Sequence, residues 1–296
     1  MSSLHPTGVY SAALTPLDEG LNPDLPVFVE HAKRLIAQGC DGVALLGTTG
    51  EANSFSADER KAILEAAVQG GIEARRLLPG TGVVAIPETV ALTKHALSLG
   101  VNTVVMLPPF YYKAPSEEGV IAAYSEIVER IGSSDLRVVL YHIPQMSAVP
   151  ITAPIIEALL KRYPGTFTGI KDSAGDFANM ETLVKTFPGF AVLAGADPLL
   201  LPLMRAGGAG CITATSNLVA ADLAFIYRHA NDPAMAAEVD AAQARVVAKR
   251  GLASKFAQMA SLKALLAKET GYQGWTRLRP PLLPLTAEES AQLLAA

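Results

Sequence analysis

Phe167-Thr168-Gly169-Ile170-Lys171-Asp172-Ser173-Ala174-Gly175-Asp176 is the stretch around which the rest of the chain is organised. Its first four residues read as a short apolar strand, and the Ala174-Gly175 turn leads into a helical run from Asp176. Lys171 therefore stands at the carboxyl end of a strand. An ammonium there, at the mouth of an apolar core, is costly to desolvate. A lysine whose pKa falls in response becomes a nucleophile toward carbonyl carbon. On this stretch alone, the simpler account is a lysine whose stem lies over apolar surface while its head reaches water.

The same strand, turn and helix phrase recurs on both sides. Strands are predicted at 9–15, 42–46, 77–81, 103–107, 137–141, 167–171, 190–194 and 210–213. The intervening helices are 24–38, 57–69, 87–99, 117–131, 153–162, 176–187 and 198–206, with an eighth after Asn217. Near-continuous apolar strands, each followed by a helix, imply a parallel sheet covered on both faces. Eight such units predict a closed (β/α)8 TIM barrel over residues 1–225. An open doubly wound sheet would carry a glycine fingerprint in its first turn, and that turn is Thr15-Pro16-Leu17. Beyond about residue 225 the pattern is helical only, at 221–229, 233–249 and 253–268, with Gly251 and Gly271 as stops. Residues 226–296 are thus expected to form a C-terminal helical appendage. Within it, 279–284 is an extended proline-rich connector before a last helix from Ala287.

Half of the 296 residues are apolar, enough for a large core, and the net charge is −4. With no long basic run, the composition argues against a nucleic-acid surface or a polybasic membrane contact and favours small-molecule partners. Cys40 and Cys211 form no disulfide framework and read as small buried hydrophobes in a reduced compartment. Residues 1–7 lack a leader pattern, and no apolar run has membrane-spanning length, so a cytoplasmic protein is expected. His5, His31, His95, His142 and His229 fall at no metal-ligand spacing, and no metal is expected.

In a parallel barrel, reactive groups come from the carboxyl ends of the strands and the loops that follow. After the second strand, Gly47-Thr48-Thr49-Gly50-Glu51 offers backbone amides that an anion can approach and two hydroxyl donors, suited to a small carboxylate. Thr48 with Glu51 also fits a turn and capping pattern before the next helix. Strand alternation places Tyr141 on the face of Val139 and opposite Leu140 and His142. Tyr141 is then either a proton carrier facing the lumen or a core tyrosine satisfied by backbone, and His142 reads as structural. The aromatics of Pro108-Pro109-Phe110-Tyr111-Tyr112-Lys113 fit a packing surface as well as a site.

Taken together, seven segments resemble the pyruvate-dependent class I aldolases that include dihydrodipicolinate synthase and N-acetylneuraminate lyase. They are Ala13-Leu14-Thr15-Pro16, Gly47-Thr48-Thr49-Gly50-Glu51, Pro109-Phe110-Tyr111-Tyr112 with Pro115-Ser116-Glu117-Glu118-Gly119, Tyr141-His142-Ile143-Pro144, Gly169-Ile170-Lys171-Asp172, Gly207-Gly208-Ala209-Gly210-Cys211-Ile212, and Leu278-Arg279-Pro280-Pro281-Leu282. The resemblance spans nearly the whole chain. It implies that Lys171 forms a Schiff base with pyruvate, that Tyr141 relays protons, and that Thr48 and Thr49 hold the hydroxyl relay and the pyruvate carboxylate. It further implies that Tyr112 completes a neighbour's relay across a dimer interface, in a homotetramer, and that no cofactor is needed. Gly47, Gly195 and Ile212 are further candidates for substrate contact.

Departures from the family pattern bear on substrate. Where dihydrodipicolinate synthases carry an arginine for the second substrate's carboxylate, this chain has Met146, which cannot replace a bidentate guanidinium. Sialic acid lyases carry a glutamate after the equivalent of Ala194-Gly195-Ala196-Asp197, and here Pro198 follows. The resemblance then points to an aldolase or dehydratase acting on a 2-keto-3-deoxy sugar acid or a 4-hydroxy-2-oxo acid, with Ser173, Asp197 and Met146 as candidate contacts to its distal end. A synthase, an idle oxo-acid-binding relative and a phosphate site around Gly195 and Gly207-Gly208 stay open as alternatives.

Overall fold

The computed structural model describes residues 5–295. Residues 1–4, part of the stretch read for a leader pattern, lie outside the described residues, as does Ala296. Seven parallel strands form the sheet: β1 (Gly8–Ala12), β2 (Gly42–Ala44), β3 (Thr103–Met106), β4 (Arg137–His142), β5 (Phe167–Asp172), β6 (Ala191–Ala194) and β7 (Gly210–Thr213), in the order β2-β1-β7-β6-β5-β4-β3. The strand predicted at 77–81 is reduced to two parallel bridges, Leu77 to Val43 and Gly80 to Val105, because Pro79 has no N–H to contribute to a ladder. The segment still joins the two edges. Leu78 and Gly80 donate to the carbonyls of Val43 and Leu45 (2.9 and 2.8 Å), while the Pro79 carbonyl accepts from Val105 (2.9 Å). The result is a TIM barrel in which a proline-bearing segment closes the ring.

The helices alternate with the strands as the spacing predicts: α1 (Leu25–Ala37), α2 (Ala57–Gln69), α3 (Ile86–Ser98), α4 (Glu117–Ile131), the single turn α5 (Pro144–Ser147), α6 (Ala153–Arg162), α7 (Phe177–Thr186), α8 (Leu200–Arg205) and α9 (Ser216–His229). Their starts are fixed locally. Asp24, Ser116 and Asp176 cap α1, α4 and α7, and Ser56 and Glu59 form a reciprocal capping box on α2. Period-2 alternation sorts the strand residues. Tyr10, Ala12, Ala44, Val139, Tyr141, Leu193 and Ile212 fill the lumen, while Val138, Leu140, Ile170 and Val192 pack outward under the helices.

The appendage consists of α10 (Ala236–Ala253), α11 (Gln258–Thr270) and α12 (Ala287–Leu294). The boundary expected at 225/226 falls inside α9, which continues past it to His229. Gly251, expected as a stop, lies within α10, whereas Gly271 ends α11 at φ +76°. No helix of the described residues is long and apolar enough to cross a membrane.

One polar knot joins α1, α9 and β1. Asn217 donates to the Ala12 carbonyl (2.8 Å), and its Oδ1 accepts from the Leu14 amide (3.1 Å) and from His31 Nε2 (2.8 Å). His31 is 4% exposed, and its Nδ1 faces the Arg34 guanidinium at 3.4 Å. Burial holds its pKa down to about 4, against the raising effect of Asn217 and with the help of Arg34. The unfolded chain therefore binds a proton near pH 6.5 that the folded chain refuses until about pH 4, so stability falls with pH across that window, by at most about 3 kcal/mol. The expected result in urea denaturation is that the stability advantage of the wild type over His31→Gln shrinks as the pH is lowered from 6.5 to 4. A constant difference would contradict it.

Candidate active site

Lys171 is the fifth residue of β5 and pairs in register with Tyr141 of β4, so the two side chains enter the lumen side by side. Lys171 is 5% exposed, and its Nζ sits 4.2 Å from the centroid of the Tyr141 ring. The Tyr141 hydroxyl lies 3.4 Å from Thr48 Oγ1. Burial pushes the Tyr141 phenol up. The Lys171 charge and polar contacts to Thr48, Lys171 and Ser173 outweigh that effect, leaving its pKa below the ordinary value. An amine, an acidified phenol and a hydroxyl thus stand in sequence at the carboxyl end of the barrel.

The turn that carries Thr48 is built by conformation. Leu46 and Glu51 both adopt positive φ (58° and 56°), and Ala52 and Glu51 donate back to the carbonyls of Gly47 and Thr48 (3.1 Å each). Thr15 Oγ1 holds the Gly50 carbonyl at 2.9 Å. The amides of Thr48 and Thr49 donate to no acceptor within the described residues, which leaves them for an anion. The capping alternative fails here: Ser56 and Glu59 cap α2, while Thr48 turns to Tyr141 and Glu51 to Lys263.

Gly47, Thr48, Tyr141, Lys171 and Ile212 line one cavity, together with Arg60 of α2. Sequence reading missed Arg60, because an arginine in the first turn of the helix that follows a motif gives no signal of where it points. It is 5% exposed, its Nε has no hydrogen-bond partner, and no carboxylate within the described residues pairs with it. Burial lowers its pKa, with Glu88 opposing.

Other predicted residues are placed differently. The Ser173 amide extends the β4 pairing by donating to the His142 carbonyl (2.8 Å), and a Cβ on Gly195 would collide with Ser173 Oγ, so that glycine permits close approach of two site loops. Gln145, which the sequence did not single out, donates to the Ser173 carbonyl at 2.7 Å. Met146 is 63% exposed on α5 and lies outside the cavity lining. Asp197 is fully buried outside the cavity lining; its Oδ2 accepts from Thr215 Oγ1 (2.8 Å) and pairs with Arg250 of α10 (3.6 Å), while its Oδ1 has no hydrogen-bond partner among the described residues. Tyr112 is 78% exposed, packed edge to face on Tyr111 (5.4 Å) and outside the cavity lining within one chain. His142 faces outward, its Nδ1 accepting from the Ile151 amide (2.9 Å). Among the described residues no three His, Cys, Asp or Glu side chains are grouped to hold a metal ion.

A barrel with a buried lumenal amine beside a phenol, at the carboxyl ends of the strands, has the build of a TIM-barrel enzyme. The chain belongs to the dihydrodipicolinate synthetase family, whose profile matches residues 5–296, and it is an enzyme of the lyase class. It is 38% identical over 294 residues to an uncharacterised DapA-like lyase of Chloroflexus aurantiacus, covering 98% of this chain and 96% of that one. Two solved structures share the fold across 98% of this chain. The dihydrodipicolinate synthase of Agrobacterium tumefaciens matches with a TM-score of 0.88 at 30% identity over 98% of its length. A prophage protein of E. coli K12, YagE, solved in complex with pyruvate, matches with a TM-score of 0.89 at 25% identity over 96% of its length.

Proposed function

We propose that this protein is a Schiff-base-forming pyruvate lyase acting on a 2-keto-3-deoxy sugar acid or a 4-hydroxy-2-oxo acid. The observation that carries the reading is the Lys171 amine held 4.2 Å over the Tyr141 ring, with Thr48 at the phenol. Lys171 Nζ adds to the C2 carbonyl and water leaves, giving a protonated imine. Tyr141 takes the proton from the C4 hydroxyl, the bond between C3 and C4 breaks, and its electron pair moves into the imine as an enamine while the aldehyde departs. Reprotonation at C3 and hydrolysis return pyruvate and the free amine. The alternative outcome, loss of the substituent at C3 or C4 as water, uses the same imine.

The free amides of Thr48 and Thr49 receive the substrate carboxylate, and Arg60 adds positive charge to the same cavity. Gly47 and Ile212 shape the floor, and Ser173 and the backbone at Gly195 flank the distal end. The chemistry requires no cofactor and no metal. Exposed Tyr111 and Tyr112 fit a subunit contact in a homotetramer, where Tyr112 would reach a neighbour's relay, and the assembly fits a cytoplasmic setting. Met146 offers no guanidinium to aspartate semialdehyde, which argues against the condensation reaction of the synthases.

A screen of 2-keto-3-deoxy sugar acids and 4-hydroxy-2-oxo acids for pyruvate release, run beside pyruvate with aspartate semialdehyde, tests this. Release from at least one hydroxy-oxo acid is expected. Turnover of aspartate semialdehyde alone would make it a synthase, and pyruvate binding without any turnover would make it an idle relative.

A further inference from the structure

The fully buried Glu51 and Lys263 form an ion pair between the turn that carries Thr48 and helix α11 of the appendage. Among the described residues the Glu51 carboxylate has no other hydrogen-bond partner, and Lys263 Nζ also donates to the Arg277 carbonyl (2.7 Å). Burial lowers the Lys263 pKa, and Glu51 works against that. The pair is one of several ties from the appendage to the carboxyl end of the barrel. Arg250 meets Asp197 after β6, Gln243 donates to the Pro198 carbonyl (3.0 Å), and Arg279 pairs with Glu59 and donates to the Ser54 carbonyl (2.7 Å). Only Glu51 sits inside the five-residue turn, at its positive-φ end, two residues from Thr49.

We infer that Glu51 and Lys263 are positioning residues that set the Gly47 to Gly50 turn, and that the helical appendage is thereby a working part of the site. This rests on the function proposed above. The physical argument concerns what an anion-binding turn requires. Unpaired amides facing a cavity do not hold their own conformation, since each turn bond saved for the ligand is lost to the fold. A non-glycine residue at positive φ adds local strain that surrounding structure must hold. An ion pair buried in low dielectric is directional and gains little for stability over apolar packing of the same shape. Breaking it from one side, however, leaves an uncompensated buried charge. Such a pair is a poor stabiliser but a good register pin. Loosening it should displace the amides of Thr48 and Thr49 and lengthen the contact from Thr48 to Tyr141.

The test uses Glu51→Gln, Lys263→Met and the double variant in the full-length chain. The double variant leaves no lone buried charge, so it keeps the fold even where a single variant does not. Two readouts are taken. The first is the pyruvate concentration giving half-maximal borohydride-trapped adduct, expected to rise at least about tenfold in the folded variants, including the double. The second needs no pyruvate: the Tyr141 phenolate transition, isolated by ultraviolet difference against Tyr141→Phe, is expected to move to higher pH as Thr48 withdraws. A purely structural pair predicts that the double variant recovers wild-type values of both, and that result overturns the inference. If the wild type forms no adduct at any pyruvate concentration, the functional reading fails by itself, and the phenolate transition decides the positioning role alone.

Discussion

Lys171→Ala is expected to abolish turnover, by at least about 10⁴-fold, and with it every trace of covalent adduct. The side chain is the buried amine beside Tyr141 at the carboxyl end of β5, and among the described residues no other lysine lines its cavity. The size of the loss follows from the chemistry: without the imine, breaking the bond between C3 and C4 must place charge on a carbanion that nothing in the lumen can delocalise. Lys171→Arg separates the two roles of the side chain. It keeps the positive charge that acidifies Tyr141 but offers no addition to a carbonyl, so it too should be inactive while Tyr141 titrates near its wild-type position. Kinetics with a released-pyruvate assay check both variants. Turnover surviving in Lys171→Arg would mean that the lysine acts through its charge alone.

Tyr141→Phe is expected to leave the imine and lower kcat by about 10²- to 10⁴-fold, the usual range for loss of a positioned acid–base group. The ring is retained, so the surface under Lys171 Nζ survives, and only the hydroxyl that links Thr48 to the reacting atoms disappears. Half-saturation by pyruvate should stay within a few-fold of wild type, because the Thr48 and Thr49 amides that receive the carboxylate are untouched. Because Tyr141 takes the C4 hydroxyl proton as a phenolate, the wild-type rate should also rise with pH through the phenolate transition, which the lowered Tyr141 pKa brings below the range of a free phenol. Equal losses in pyruvate saturation and in kcat would instead assign Tyr141 to binding.

Where local periodicity governs, the sequence could be read. The lumenal face of Tyr141 and the outward direction of His142 follow from period-2 alternation, whereas the pairing of Lys171 with Tyr141 depends on a register between strands that shifts between Val138 and Val139. The missing ladder at 77–81 was also encoded in Pro79, but apolar periodicity outweighed the absent N–H in the reading. The partner of Asp197 was illegible for a different reason. The neighbours of Asp197 in sequence belong to a site loop, while its partner Arg250 comes from a helix that only the folded appendage brings near. The link from Glu51 to Lys263 shares that cause, being a contact between distant segments that no spacing announces. Tyr112 was read from resemblance, and a single chain leaves it on the surface.

Borohydride reduction in the presence of pyruvate, followed by intact mass and peptide mapping, tests the central claim most directly. The account predicts one reduced pyruvate adduct per chain, on the peptide containing Lys171 and absent from Lys171→Ala. A folded sample that carries no adduct at Lys171, or carries it on another lysine, contradicts the mechanism.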